Sequence, residues 1–460
     1  MTGPKDNTAE VLICGAGIAG VSAAYHLAVR KGVKDILLVD YNPPLSLTSD
    51  QSTECYRNWW PGPGDAMVAL MNRSIDILEE LAEQSGNVFH LNRRGYAYCT
   101  ADPKKISPML TAAQEVSTLG AGPLRVYSGG SLDPAYVPAA PFGFTDGPGG
   151  ADLLLDSTMI HKHFPYLSED VVAVLQVRRA GWFSAQQLGM YLLDQARNHG
   201  VRLIRDRVIQ VEVENERVSE VCLSSGQRVS TPNFVNAAGP FLIEVGNMLG
   251  VELPIYHELH LKVNFKDYLS ILDRSAPLVI WNDPQVLDWS PEERQLLDED
   301  EELQWLLEEM PPGVHTRPEG GPESQMILML WEYHTGAVTP VWPIPEDPQY
   351  PEIALRGLAR MIPGMRAYID KAPRPRIDGG YYTKTRENRP LIGKLPISGA
   401  YLIGALSGFG LMVSCAAGEL LAAHVTGEKL PSYAHAFELE RYQDPTYQRW
   451  LENWGASGQL

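Results

Sequence analysis

A glycine turn set between two apolar runs near the N-terminus constrains this chain more than any other feature. Val11-Leu12-Ile13-Cys14 has the length of a buried strand, and Gly15-Ala16-Gly17-Ile18-Ala19-Gly20 follows it directly. Val21 to Lys31 then carries Ala23, Ala24, Leu27 and Ala28 at helical spacing. Gly32 ends that helix, and Ile36 to Val39 forms a second apolar run closing on Asp40. Strand, helix and strand in this order make a βαβ unit, which implies a parallel sheet with right-handed crossovers. Gly15 permits the tight turn, Gly17 lets backbone approach a pyrophosphate, and Gly20 lets the helix lie close on the strand. The helix N-terminus offers unpaired N–H groups and a positive dipole end to phosphate. Asp40, ending the second strand, is placed to hold ribose hydroxyls. The pattern predicts a dinucleotide site and leaves NAD and FAD both open.

A chain of 460 residues suits two domains, and 44% hydrophobic residues exclude global disorder. The net charge of -18 makes nucleic acid an unfavourable partner. That charge is uneven, because residues 283–309 hold eleven acids against a single Arg294, ten of the eighteen net negative charges. Leucines and Trp305 alternate with the acids, so amphipathic surface helices are predicted there, within an insertion spanning 283–325. Cys14, Cys55, Cys99, Cys222 and Cys415 show no CxxC spacing, which predicts reduced thiols and a cytoplasmic protein. The N-terminus has no secretory layout. The apolar stretch Tyr401 to Val425 is interrupted by four glycines and Glu419, so a buried strand and helix are predicted, not a membrane span.

That same stretch is a second glycine-rich strand–turn–helix, with Ser407-Gly408-Phe409-Gly410 as the turn. A helix N-terminus there suits the negative charge of a reduced flavin. Four separated stretches carry a resemblance that covers most of the chain. They are VLICGAGIAGVSAAYHLA with Asp40, GWFSAQQLGMYLLDQARNHGVRLI, FVNAAGPFLIEVGNMLGVELP, and ENRPLIGKLPISGAYLIGALSGFGLMVSCAAGELLAAHVTGE. In their order and spacing the chain resembles the D-amino-acid oxidase superfamily of FAD-dependent oxidoreductases, which includes sarcosine oxidase, glycine oxidase and dimethylglycine dehydrogenase.

The resemblance implies an α/β, two-domain fold. A Rossmann-like FAD domain would be assembled from 8–100, 150–245 and 375–440. A substrate domain with a mostly antiparallel sheet would be built from 101–149 and 246–374. By the same resemblance Gly15, Ala16, Gly17, Ile18, Ala19 and Gly20 cradle the pyrophosphate, with Asp40 and Tyr41 at the ribose. Val208 meets the adenine, and Ala238 and Gly239 line the nucleotide. Thr48, Ser49 and Thr53 lie on the loop passing the pyrophosphate and flavin. Gly408, Phe409, Gly410, Leu411 and Met412 sit at the flavin pyrimidine edge. Arg57 matches an arginine that binds a substrate carboxylate, a task its planar fork suits on chemical grounds alone.

Departures shape the expectations further. Met412 stands where sarcosine-oxidase-like relatives supply a lysine anchor. The stretch Gly380 to Thr385 has no flavin-linking cysteine, and the loop 46–57 has no linking histidine, so noncovalent FAD is expected. Glu387 is read as structural. Tyr333, His334 and Tyr382 are further pocket candidates, with Trp331 to His334 read as strand. His257 and His260 fall on opposite faces of a strand, which argues against a shared metal. Lys262 is read as solvated and Arg317 as part of a mobile lid. The expected reaction is oxidation of an amine or N-alkyl amino acid by hydride transfer from the α-carbon to flavin N5. Oxygen or another carrier would then take the electrons. Two other readings stand beside it: a 2-hydroxy acid or polyol dehydrogenase using His334 as base, and a flavoprotein whose FAD is structural.

Overall fold

The computed structural model describes residues 7–454, apart from positions 146, 322, 370 and 372. All four residues of Val11–Cys14 are buried, as a central parallel strand requires. The strand pairs in parallel with Ile36–Asp40 on one side and Phe234–Asn236 on the other. Arg202–Arg205 and Ala400–Gly404 extend the sheet in parallel, and Leu391–Lys394 closes one edge antiparallel. This six-stranded sheet therefore gathers segments from both ends and the middle of the chain.

Close approach of backbones explains the glycines that matter here. Gly15 has φ +110°, and a Cβ on it would stand 2.3 Å from the Ala237 carbonyl oxygen. A Cβ on Gly20 would lie 1.9 Å from the Gly15 carbonyl oxygen, so the helix Ile18–Tyr25 rests directly on its own turn. The helix Gly410–Thr426 packs on Ile18–Tyr25 and on Ala66–Ser85. A Cβ on Gly418 would lie 2.3 Å from Ser22 Oγ, and that hydroxyl donates to the Ser414 carbonyl at 2.8 Å. Ser407–Thr426 is long and apolar enough to cross a membrane. Yet 78% of its apolar window is buried inside the protein, where it contributes to the main core.

A nine-stranded sheet forms the second layer, most of its pairs antiparallel. Its long ladder pairs Ile255–Lys266 with Arg376–Thr385. Tyr96–Thr100, Ala151–Leu154, Ala173–Val177 and Arg376–Thr385 belong to it, although all four lie in stretches assigned above to the FAD domain. Their ladder hydrogen bonds are the reason; Tyr96–Thr100, for instance, joins Leu278–Trp281 and Ala173–Val177. The acidic segment folds as the helix Pro291–Glu299 and a 3-10 turn Gln304–Leu307. Ser290 and Glu293 form a capping box, and Leu297 and Leu306 pin the segment to the second core. Glu387 is buried and accepts from Arg441, Tyr442 and Tyr447, so it ties down the C-terminal segment.

Candidate active site

The carboxyl ends of the parallel strands open into a cavity of about 490 Å³, where such folds bind their ligands. Asp40 organises one end. Its Oδ2 accepts the Ala16 N–H at 2.6 Å and its Oδ1 the Asn42 N–H at 2.8 Å. Burial pushes its carboxyl above the ordinary range, against the pull of those N–H groups. Ser49 Oγ accepts the Ile18 N–H at 3.0 Å and so binds the loop to the turn. A Cβ on Gly17 would sit in contact with that Oγ at 3.4 Å. The glycine turn, the start of the helix Ile18–Tyr25 and Asp40 all converge on the cavity, so the residues present fit FAD.

Gly15, Gly17, Ile18, Ala19, Asp40 and Tyr41 line the cavity, as do Thr48, Ser49, Val208, Ala238, Gly239 and Gly410. The other cofactor candidates stand behind this wall. Ala16 offers its N–H to Asp40, and Gly20 is packed on Gly15. The Thr53 carbonyl is held by Arg317, while Phe409 meets Trp60 edge-on. Leu411 and Met412 are core residues, and Gly408 sits half-buried in the turn Ser407–Phe409. Phe241, Trp342, Tyr381 and Thr383 line the cavity without having been singled out from sequence. Trp342 stacks on Phe241 and meets Tyr381 edge-on. Isolated aromatics in three distant segments gave no local signal for this.

Arg57 ends a short ribbon pairing Cys55–Arg57 with Ala180–Trp182. It is buried, and its Nε donates to the Trp59 carbonyl at 3.1 Å. Its guanidinium lies 4.6 Å from the Trp60 ring centre and 5.5 Å from that of Tyr96. Tyr382 is also buried and stacks on His260, with ring centres 3.9 Å apart. His260 Nε2 contacts Glu258 Oε2 at 3.0 Å, and Nδ1 contacts Glu332 Oε1 at 2.9 Å. Lys384 Nζ joins Glu258 at 2.9 Å. Burial alone would lower the His260 pKa, but the Glu332 and Glu258 carboxylates overcome it and raise it. Burial likewise works to raise Glu258, yet His260 and Lys384 bring it down to about 2.

Several expectations are corrected at this point. The strand ends at Leu330, so Tyr333 and His334 leave the sheet. Tyr333 packs among Trp305, Tyr350 and Trp331 with its hydroxyl on Asp347, and His334 is exposed against Trp305. Glu332, passed over just before Tyr333, is the residue that reaches His260. Lys262 is buried and donates to the Ser52 carbonyl at 2.9 Å, because the strand face it occupies is covered by that loop. Arg317 is no lid residue. It is 1% exposed on a strand, clamped by the Thr53 carbonyl and Glu319. His257 turns away from His260 to Thr383, and no metal-binding cluster occurs among the described residues.

Comparison with known proteins agrees with this geometry. The profile of the family described as FAD dependent oxidoreductase (DAO) matches residues 10–424. Rat mitochondrial dimethylglycine dehydrogenase is 25% identical over 254 residues, 55% of this chain and 26% of that protein. The mouse mitochondrial pyruvate dehydrogenase phosphatase regulatory subunit is 25% identical over 283 residues, 61% of this chain and 28% of that protein. The match thus spans about a quarter of the length of these relatives. Among solved structures, L-proline dehydrogenase from P. horikoshii superposes with a TM-score of 0.72 at 18% identity, covering 95% of this chain and 98% of that one. Glycine oxidase from Geobacillus kaustophilus does so with 0.70 at 15%, covering 95% and 99%. Both share the two-sheet fold. The chain belongs to the DAO family of FAD-dependent oxidoreductases.

Proposed function

We propose that the protein oxidises an amine that also bears a carboxylate, an amino acid or N-alkyl amino acid, with noncovalent FAD as the electron acceptor. The observation that carries this reading is Arg57, a buried guanidinium framed by Trp60 and Tyr96 beside the cofactor loop. Such a group reads a carboxylate through two parallel hydrogen bonds in a water-poor site. The names of the relatives, among them dimethylglycine dehydrogenase and glycine oxidase, support the same substrate class.

FAD bound in the cavity supplies a two-electron acceptor for the α C–H bond. Gly15, Gly17, Asp40, Ser49 and Gly410 would hold it. Arg57 fixes the carboxylate and so aims the α-carbon. Burial raises the phenols of Tyr96, Tyr98 and Tyr382 above their ordinary pKa, so all three stay neutral. The aromatic wall around Arg57 excludes water until the imine leaves and hydrolyses. Noncovalent attachment is supported by Gly380, where a Cβ would already stand 3.2 Å from Thr48 Cα. The cysteine of the cavity wall among the described residues, Cys14, ends the first strand near Asp40, and burial pushes its thiol to about 12.

The hydroxy-acid reading drew on His334 as base, and that residue is exposed. Anaerobic addition of carboxylated amines should bleach the yellow protein, and acid precipitation should release its FAD. Bleaching by 2-hydroxy acids alone would reverse the assignment.

A further inference from the structure

Glu332 has no part in the reading above, yet its position is specific. His260 lies opposite Gly380 in the long ladder, and Gly380 lies against Thr48 of the cavity wall. Two residues on, Lys262 donates to the Ser52 carbonyl. The strand face that carries Glu258, His260 and Lys262 is therefore turned to the cofactor loop. Glu332 reaches this face from beyond the end of Met326–Leu330. Its side chain is 24% exposed, whereas those of His260 and Glu258 are 4% and 8% exposed. It thus forms the open side of the cluster. Glu258 is met by both His260 and Lys384, whereas the ion pair that Glu332 makes among the described residues is to the shared His260.

We propose that Glu332 docks the ammonium group of the substrate, which is bound as a zwitterion with its carboxylate on Arg57. This rests on the amine-oxidation reading and narrows it to substrates whose amine is charged on arrival. His260 and Glu258 are positioning residues that hold the Glu332 carboxylate in place. Burial tends to neutralise Glu332, but His260 outweighs it and keeps the group ionised. The charges of Arg57 and Glu332 both reach His315, at the start of the strand His315–Glu319, and that of Glu332 also reaches Tyr382 and Tyr350. Among the described residues these, with Lys384, are the titratable and charged groups that face Glu332 from the surrounding strands and from the helix Tyr350–Met361.

A chemical consequence follows from placing an anion beside an ammonium. The ammonium must give one proton to solvent before its α C–H bond breaks with both electrons, and a neighbouring carboxylate raises the pKa of that proton. The rising limb of kcat with pH should therefore move to lower pH by about one unit or more in Glu332→Gln. KM for the amino acid that bleaches the wild-type flavin fastest should rise about ten-fold or more. Acetate, which has no amine, should perturb the flavin spectrum at the same concentration in both proteins. Glu332→Asp, which restores the charge, should return the limb toward its wild-type position, and Glu332→Ala, which also removes the charge, serves as the test if Glu332→Gln does not fold. An unmoved limb with unchanged KM would overturn the proposal and leave the amine reading intact. Equal weakening of acetate and amino acid would also overturn it, as a structural effect. If no amine bleaches the wild-type protein, both readings fall.

Discussion

Among single residues, a few charged groups govern how substrate and cofactor are held. Arg57→Ala should raise KM for carboxylated amines about 10- to 100-fold, the cost of a charge-assisted pair, while the protein stays yellow. Steady-state kinetics beside a flavin spectrum would check both halves. Asp40→Ala removes the acceptor of the Ala16 and Asn42 N–H groups along with the proposed ribose contact. It should weaken FAD binding about ten-fold or more, measured by fluorescence titration of the apoprotein. How legible were these residues? Asp40 could be placed because it closes a contiguous strand–turn–helix–strand pattern. Glu332 could not, because its partner His260 is 72 positions away and nothing local marks the contact. Lys262 was misjudged for a similar reason, since the loop that buries it is remote in sequence.

Elements were the most readable scale. The two glycine-rich strand–turn–helix units stand where their periodicity places them, because each needs only neighbouring residues to specify it. Less readable was sheet membership, which depends on long-range pairing: Tyr96–Thr100 alternates like any strand and carries no mark of which sheet it joins. The helix Gly410–Thr426 illustrates what an apolar run leaves open. Its composition suits a membrane, and its glycine reveals the packing only once Ser22 is seen beneath it. Gly418→Ala should therefore lower stability by about 1–3 kcal/mol, since the methyl group would collide with Ser22 backbone and side chain. Thermal melts of the holoprotein would show it, together with easier loss of FAD from the displaced helix start. A substitution at Gly427, where a Cβ meets nothing, has no such clash but does carry strain at φ +71°.

For the whole molecule, acid sensitivity follows from its buried histidines. Burial lowers His26 to about 3 and His315 to about 4, so both stay neutral in the fold while the unfolded chain takes up a proton near 6.5. Their contribution is thus lost as pH falls from 6.5 toward 4 and 3. His260 works in the opposite sense: its raised pKa stabilises the fold below 6.5, and that support fades as pH rises through the folded value. Glu258 supports the fold above 4.5 and loses that effect toward about 2. Urea midpoints should fall between pH 6.5 and 4, and His26→Leu should flatten that slope. The net charge of -18 is a local matter by comparison, concentrated in a segment pinned to the second core by Leu297 and Leu306. The ribbon Cys55–Arg57 and the long strand Ile255–Lys266 bring Arg57 and the His260 cluster toward the same loop, a site proposed to oxidise carboxylated amines. Anaerobic titration of the yellow protein with amines, amino acids and hydroxy acids tests that proposal most directly. Bleaching by a carboxylated amine, shifted to higher concentration in Arg57→Ala, is the predicted result. Equal bleaching of both proteins by that amine, or none with any amine, would contradict it.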